Sequence, residues 1–208
     1  SQRVARIMGS KDIAGAEELL SRFALEEARR LGALPTEEAV RGLVSELHVW
    51  RRVLDLMCGQ VHPLQPGEVL ASPSSIPPVD EPLAECVARL PELVVALLHS
   101  LNVLCLPEAG VWITAAFRVA ETLGVRRWSG HLAMSLGRWW VMNRMSYQQD
   151  ELFERYAAEL LAVEGEHEAA FNAQYFAACS CLATRGPKES IPLYERCLEL
   201  AEHGGLGA

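Results

Sequence analysis

Residues 186–205 read GPKESIPLYERCLELAEHGG, and this stretch decides the fold. Its glycine and proline form a turn that opens a helix, because proline is preorganised for the first helical turn. Apolar residues then recur three and four positions apart, as they do on one face of a helix. Two adjacent glycines follow and end the helix. The stretch therefore predicts a helix that buries one apolar face.

The same kind of helix ending recurs upstream at a regular interval. Predicted stops fall at Gly124, Gly165 and Gly204, a period of about 40 residues that is typical of helical solenoids. Two helices joined by a short turn lie between successive stops. They are predicted over 128–144 and 148–163 in the first unit, and over 167–185 and 187–203 in the second. The pattern predicts stacked helical hairpins.

Most of the remaining chain is also predicted to be helical, with no convincing strand. Helices are expected over 12–31, 36–58, 83–106 with a break at Leu90-Pro91, and from Pro107 to Leu123. The segment 93–106 is apolar on nearly every side, which places it in the core. Prolines interrupt residues 60–82 and exclude a helix there. We expect one or more N-terminal helical hairpins at 1–59, a proline-rich loop or linker at 60–82, and helical repeats over 83–208.

Small and large residues alternate at the positions where the predicted helices would cross. Small residues admit a partner helix, and large residues fill its grooves. The residues in question are Gly137, Trp140, Cys179, Leu182, Ser190, Tyr194 and Cys197. This pattern resembles the tetratricopeptide repeat, in the extended form of kinesin light chains and bacterial signal-sensing regulators. The resemblance implies a right-handed α-solenoid of antiparallel helical hairpins.

In that family the first helix of each hairpin lines a concave groove that binds peptides. The register of the resemblance implies groove positions at His131, Met134, Arg138, Val141, Met142, Phe176, Ser180, Ala183 and Thr184. This mixture is apolar with one cation, which favours an apolar peptide or a helix as the occupant. The alternative, that a neighbouring repeat or the 60–82 segment covers these residues, stays open.

Two adjacent tryptophans on one predicted helix must point in directions about 100° apart. The register places Trp140 in the packed interface between helices. Trp139 is then either a second packing contact or an exposed anchor for a partner. Packing is the favoured interpretation.

Composition restricts the partners and the compartment. The 208 residues carry a net charge of −8 without a basic run, which disfavours nucleic acid and anionic membranes. No apolar run approaches the ~18 residues of a membrane span. The six cysteines are expected to be reduced thiols in the cytoplasm, or in the nucleus of a eukaryotic cell. No signal peptide is visible and the chain starts without Met, so we expect a segment of a longer or processed protein.

The sequence holds no motif for a catalytic, cofactor or metal site. Phosphate-binding glycine loops, His-Glu-x-x-His and serine nucleophile motifs are absent from it. Cys58 and His62 have ligand-like spacing but no second pair. Cys179 and Cys181 are two apart on a helix and point to different sides.

The function expected is therefore protein or peptide binding by a segment of a larger scaffold. A ligand-sensing regulatory domain is the alternative, and an enzyme is least favoured. Open ends of a solenoid would also favour self-association or a capping partner.

Overall fold

A computed structural model describes the backbone of residues 13–34, 36–59, 61, 85–104, 106–143 and 147–205. Side chains are described for 22–34, 37–59, 61, 87–98, 106–143 and 154–205. Within these parts all regular structure is helical and no strand occurs, so the prediction of an all-α protein is confirmed. In chain order the helices are α1 (Ile13–Gly32), α2 (Thr36–Ser45), α3 (Leu47–Cys58), α4 (Glu85–Ala88), α5 (Leu90–Leu104), α6 (Ala109–Leu123), α7 (Arg126–Met142), α8 (Tyr147–Val163), α9 (His167–Thr184) and α10 (Pro187–Gly204).

Helix α5 lies at the centre of the first half of the structure. It contacts α1, α6 and α7. Leu90, Leu93, Val94 and Leu97 are almost completely shielded from solvent. A helix that is apolar on every side is stable in water only when neighbours cover all its faces. The central position predicted for this segment is confirmed over its described side chains.

The prediction of one continuous helix over 36–58 is wrong, because the chain leaves helical geometry at Glu46. The Ser45 hydroxyl donates to the Gly42 carbonyl at 2.8 Å, and the Glu46 N–H donates to the Leu43 carbonyl at 3.3 Å. Serine side chains compete for backbone carbonyls, and glycine is a weak helix former. The resulting bend separates α2 from α3, and α3 packs against α6.

Proline sets the boundary between α4 and α5. Helix α4 ends at Ala88 and α5 begins at Leu90, so the predicted break at Leu90-Pro91 is confirmed one residue earlier. Pro91 occupies the first turn of α5, where its missing N–H costs no helical hydrogen bond. The proline-rich stretch predicted at 60–82 lies outside the described residues apart from Val61. Val61 is buried in the main core.

From α6 onward each helix packs most extensively against the helices before and after it in the chain. Glycines with positive φ end three of these helices: Gly124 (67°), Gly165 (77°) and Gly205 (64°). This left-handed conformation is costly for residues with a Cβ. The final stop is therefore Gly205. The predicted stop, Gly204, is the last helical residue.

Helices two apart along the chain also meet. Tyr156 of α8 donates to the Glu121 carboxylate of α6 at 3.0 Å, and its ring meets that of Phe117 edge-on, with centroids 6.1 Å apart. Arg127 of α7 pairs with Glu166, the residue before α9, at 2.7 Å. Helix α5 likewise contacts α7. Side chains of α6 and α8 thus contact one another, α5 contacts α7, and α7 is tied to the residue that precedes α9.

Buried tryptophans fix how α6 and α7 pack. Trp139 is buried and its indole N–H donates to the Leu106 carbonyl at 2.9 Å, which confirms packing as its role. A Cβ at Gly110 would lie 2.5 Å from the Trp139 ring, so only glycine fits beneath the indole. Gly130 similarly lets α7 approach α8, because a Cβ there would lie 2.8 Å from the Leu161 side chain. One cluster of buried apolar side chains extends from Ala24 in α1 to Ala173 in α9.

Candidate protein-interaction surface

The groove positions implied on α7 differ widely in exposure. Arg138 and Met142 are exposed, whereas His131, Met134 and Val141 are partly buried. Met134 packs against the main core. His131 lies near the Arg127–Glu166 ion pair, and partial burial lowers the pKa of its imidazole while the Glu166 and Glu164 charges oppose that shift. Most of this edge of α7 is therefore occupied by packing within the chain.

The groove positions implied on α9 also contribute little exposed apolar area. Phe176 is partly buried and Ser180 is buried. Ala183 and Thr184 are exposed, but the Thr184 hydroxyl donates to the Ser180 carbonyl of its own helix at 2.9 Å. The Ser180 hydroxyl oxygen has no hydrogen-bond partner among the described residues. Peptide binding along this edge stays a prediction.

A different side of α9 presents apolar residues to solvent. One side of the helix, formed mainly by alanines and Cys181, is buried against neighbouring helices. A second side is apolar as well. That second side carries Phe171, Tyr175, Cys179 and Leu182, spaced four, four and three apart. Tyr175 and Leu182 are about half exposed. Phe171 and Cys179 are partly buried, and Phe171 packs against the small cluster of Leu161, Ala170 and Leu200.

Helix α10 places a matching row beside it. Ile191, Tyr194 and Leu198 follow one another at spacings of three and four, and Leu198 is 64% exposed. Such spacing aligns side chains along one helix face. Both helices therefore direct an apolar row toward the same side of the hairpin.

Direct contacts join the two rows. The Tyr175 and Tyr194 rings meet edge-on with centroids 6.1 Å apart, and the Phe171 ring stacks on Tyr175 at 6.3 Å. The Tyr194 hydroxyl lies 3.5 Å from the Cys179 sulfur. We call this patch the α9–α10 apolar surface and define it by Phe171, Tyr175, Cys179, Leu182, Ile191, Tyr194 and Leu198.

Two polar groups at this surface have raised pKa values. The hydrogen bond with Cys179, together with loss of water, raises the pKa of the Tyr194 phenol to about 12. Burial raises the pKa of the Cys197 thiol, which lies under the surface, to about 11. Both groups therefore keep their protons at pH 7.

Carboxylates border the surface on the outer side of α10. At 100° per residue, Glu202, Glu195 and Glu199 lie within about 80° of Ile191 around the helix axis. Glu199 accepts a hydrogen bond from Arg196 at 2.6 Å. Glu195 and Glu202 form no ion pair with any described residue. Lys188 lies on the same border, so the three carboxylates are opposed by two cations, Arg196 and Lys188.

The repeat resemblance assigned part of this surface to internal packing. Cys179 and Tyr194 do contact one another across the hairpin. Leu182 does not fit that assignment, because it is exposed. The sequence contained a usable signal, namely that α9 is apolar on both sides, whereas a helix with one buried side carries a single apolar stripe.

The described part of the chain contains neither a cluster of metal ligands nor a membrane-spanning helix. No group of three or more histidine, cysteine or acidic side chains could hold a metal there. Cys58 is a neutral thiol, since burial raises its pKa to about 12, and His62 lies outside the described residues. No described helix is both long enough and apolar enough to cross a membrane. Comparison with models of known protein families, with curated proteins and with solved structures finds no match to this chain.

Proposed function

We propose that this chain is a protein-interaction segment that holds a partner polypeptide on the α9–α10 apolar surface. The observation that carries the proposal is the continuity of the surface, in which two helices contribute apolar rows joined by the Tyr175–Tyr194 contact. Contiguous apolar patches with a polar border mark interaction sites on proteins, whereas isolated exposed apolar residues do not. Tyrosines add large contact area with little loss of side-chain freedom.

The arrangement of the helices supports the same proposal. Each helix from α6 onward packs on its chain neighbours, and the ion pair and ring contacts described above link helices two apart. These contacts are those expected of stacked hairpins, so they support a tetratricopeptide-like solenoid. Solenoids of this kind work mainly by presenting extended surfaces to other polypeptides.

The α9–α10 apolar surface is a better docking site than the groove implied by the resemblance. Most groove positions are partly or fully buried within the chain, and Arg138 and Met142 are the exposed positions on α7. On the apolar surface, Tyr175, Ile191 and Leu198 each expose half or more of their area. Burying this apolar area against a partner is favourable by about 25 cal/mol per Å².

Selection from a displayed library of random peptides tests this proposal. Peptides selected on the wild-type chain should lose about 10-fold or more in affinity for the Leu198→Glu variant. Val111→Glu is the matched control, because Val111 on α6 and Leu198 are both 64% exposed. We expect unchanged affinity for the control. Selected peptides that bind Leu198→Glu as tightly as wild type would exclude this surface as the docking site.

A further inference from the structure

We infer that the partner segment is an amphipathic helix whose apolar stripe is bordered by lysine or arginine. The inference rests on the proposed function and specifies the partner of the same surface. It combines two independent features, the periodic apolar rows of α9 and α10 and the carboxylates beside them. The rows specify a helix, and the carboxylates specify its charge.

The helical conformation follows from the spacing of the rows and from backbone hydrogen bonding. Phe171, Tyr175, Cys179 and Leu182 form one ridge and Ile191, Tyr194 and Leu198 form the other. Ridges at spacings of three and four receive the side-chain ridges of another helix. A peptide that adds as a β-strand needs backbone partners at a sheet edge, and no strand exists among the described residues. A helix needs none, because its backbone groups bond internally.

The basic border follows from the charge beside the surface. Glu195, Glu199 and Glu202 are exposed next to Ile191 and Leu198. Arg196 pairs with Glu199 and Lys188 lies on the same border, so the carboxylates outnumber the cations by one. A partner helix lying between the α9 row and the α10 row would bring the residues beside its apolar stripe close to these carboxylates. Opposite charges at the border of an interface speed association and exclude like-charged partners.

A second copy of the chain fits this surface less well than a basic helix does. Each copy carries the same acidic border, and the whole chain has a net charge of −8. Two such surfaces would meet with like charges at their borders, which costs free energy. Self-association therefore serves as a competing outcome of the experiment.

The experiment uses two synthetic peptides of about 18 residues, or five helical turns. Both carry the same Leu/Phe stripe, flanked by lysines in one and by glutamates in the other. We expect the basic peptide to bind at least about 10-fold tighter by fluorescence anisotropy, and to gain helical circular dichroism on binding. Its affinity should fall as NaCl rises from about 50 to 500 mM, because salt screens border charges.

Charge reversal on α10 identifies which carboxylates cause the preference for the basic peptide. The double variant Glu195→Lys/Glu202→Lys should remove the preference for the basic peptide. Glu189→Lys is the matched control, because Glu189 is exposed on α10 about 160° from Ile191. The control should keep the preference. A preference that survives the double variant overturns the inference.

The remaining outcomes separate this inference from the proposed function. If both peptides bind equally and Leu198→Glu abolishes both, the basic partner is wrong and the docking surface stands. If both bind Leu198→Glu as they bind wild type, the docking surface itself is wrong. Absence of binding by the basic peptide up to about 1 mM overturns the inference. The inference is also overturned if analytical ultracentrifugation shows a dimer that Leu198→Glu abolishes and that the basic peptide does not dissociate.

Discussion

Tyr175 of α9 and Tyr194 of α10 meet edge-on with their ring centroids 6.1 Å apart. The contact joins two apolar rows that would otherwise be separate stripes on neighbouring helices. Because the two rings brace one another, the middle of the α9–α10 apolar surface is already arranged before any partner binds. Preorganisation of this kind reduces the entropy lost on association.

The ring of Tyr194, more than its hydroxyl, should stabilise the α9–α10 hairpin. Tyr194→Ala removes the aromatic pair and should lower the free energy of unfolding by about 1–3 kcal/mol. Tyr194→Phe keeps the ring and loses only the weak contact with the Cys179 sulfur, so a loss below about 1 kcal/mol is expected. Urea denaturation measures both variants. Equal losses in the two would assign the stability to the hydroxyl instead.

The absence of a side chain at Gly110 should be essential for seating Trp139. Gly110→Ala would place a Cβ 2.5 Å from the indole ring, and overpacking of this kind destabilises by about 1–3 kcal/mol. Gly32→Ala is the control, because a Cβ there meets Ala96 at an ordinary 3.5 Å. The control should change stability by less than about 1 kcal/mol. Thermal unfolding that affects both variants alike would contradict the close contact.

A hydrogen bond between α6 and α3 should contribute to the stability of the core. The Trp112 indole N–H donates to the Asp55 carboxylate at 2.9 Å, and Trp112 is buried. Asp55→Ala leaves that N–H unsatisfied and should cost about 1–3 kcal/mol. Asp55→Asn retains an oxygen acceptor and should cost less. Denaturant midpoints compare the two, and an Asn variant as unstable as the Ala variant would exclude the hydrogen bond as the cause.

Acidification should destabilise the fold in part through His131. Burial lowers the pKa of this imidazole in the folded state, with the Glu166 and Glu164 charges raising it and Arg127 lowering it. The unfolded state then binds the proton more readily, so the contribution of His131 is complete above the unfolded pKa of about 6.5 and is lost as pH falls toward the folded pKa. We expect wild type to lose more stability than His131→Gln between about pH 7.5 and 5. Parallel stability curves for the two proteins would contradict this role.

Periodicity alone predicts the helices well but cannot locate every bend. The helix ends at Gly124 and Gly165 can be recognised locally. Each glycine adopts the positive φ that ends a helix, and this conformation depends only on the neighbouring few residues. The bend at Glu46 depends on competition between the Ser45 side chain and the helix backbone. The apolar pattern continues through that point, so it carries no sign of the bend.

The candidate site was harder to predict than the helices. A repeat motif assigns Cys179, Leu182 and Tyr194 to packing from their spacing, but spacing does not reveal whether another helix is present to receive them. Gly110 posed the same difficulty, since its role depends on Trp139, which lies 29 positions later in the chain. The exposure of the α9–α10 apolar surface and the role of Gly110 both depend on contacts between residues that are distant in the sequence.

The affinity of the lysine-flanked amphipathic peptide for wild type, Leu198→Glu and Val111→Glu tests the central claim most directly. Our account predicts that Leu198→Glu weakens binding by about 10-fold or more, while Val111→Glu, changed at an equally exposed position, binds as wild type does. Equal affinity of all three proteins for the peptide would contradict the account.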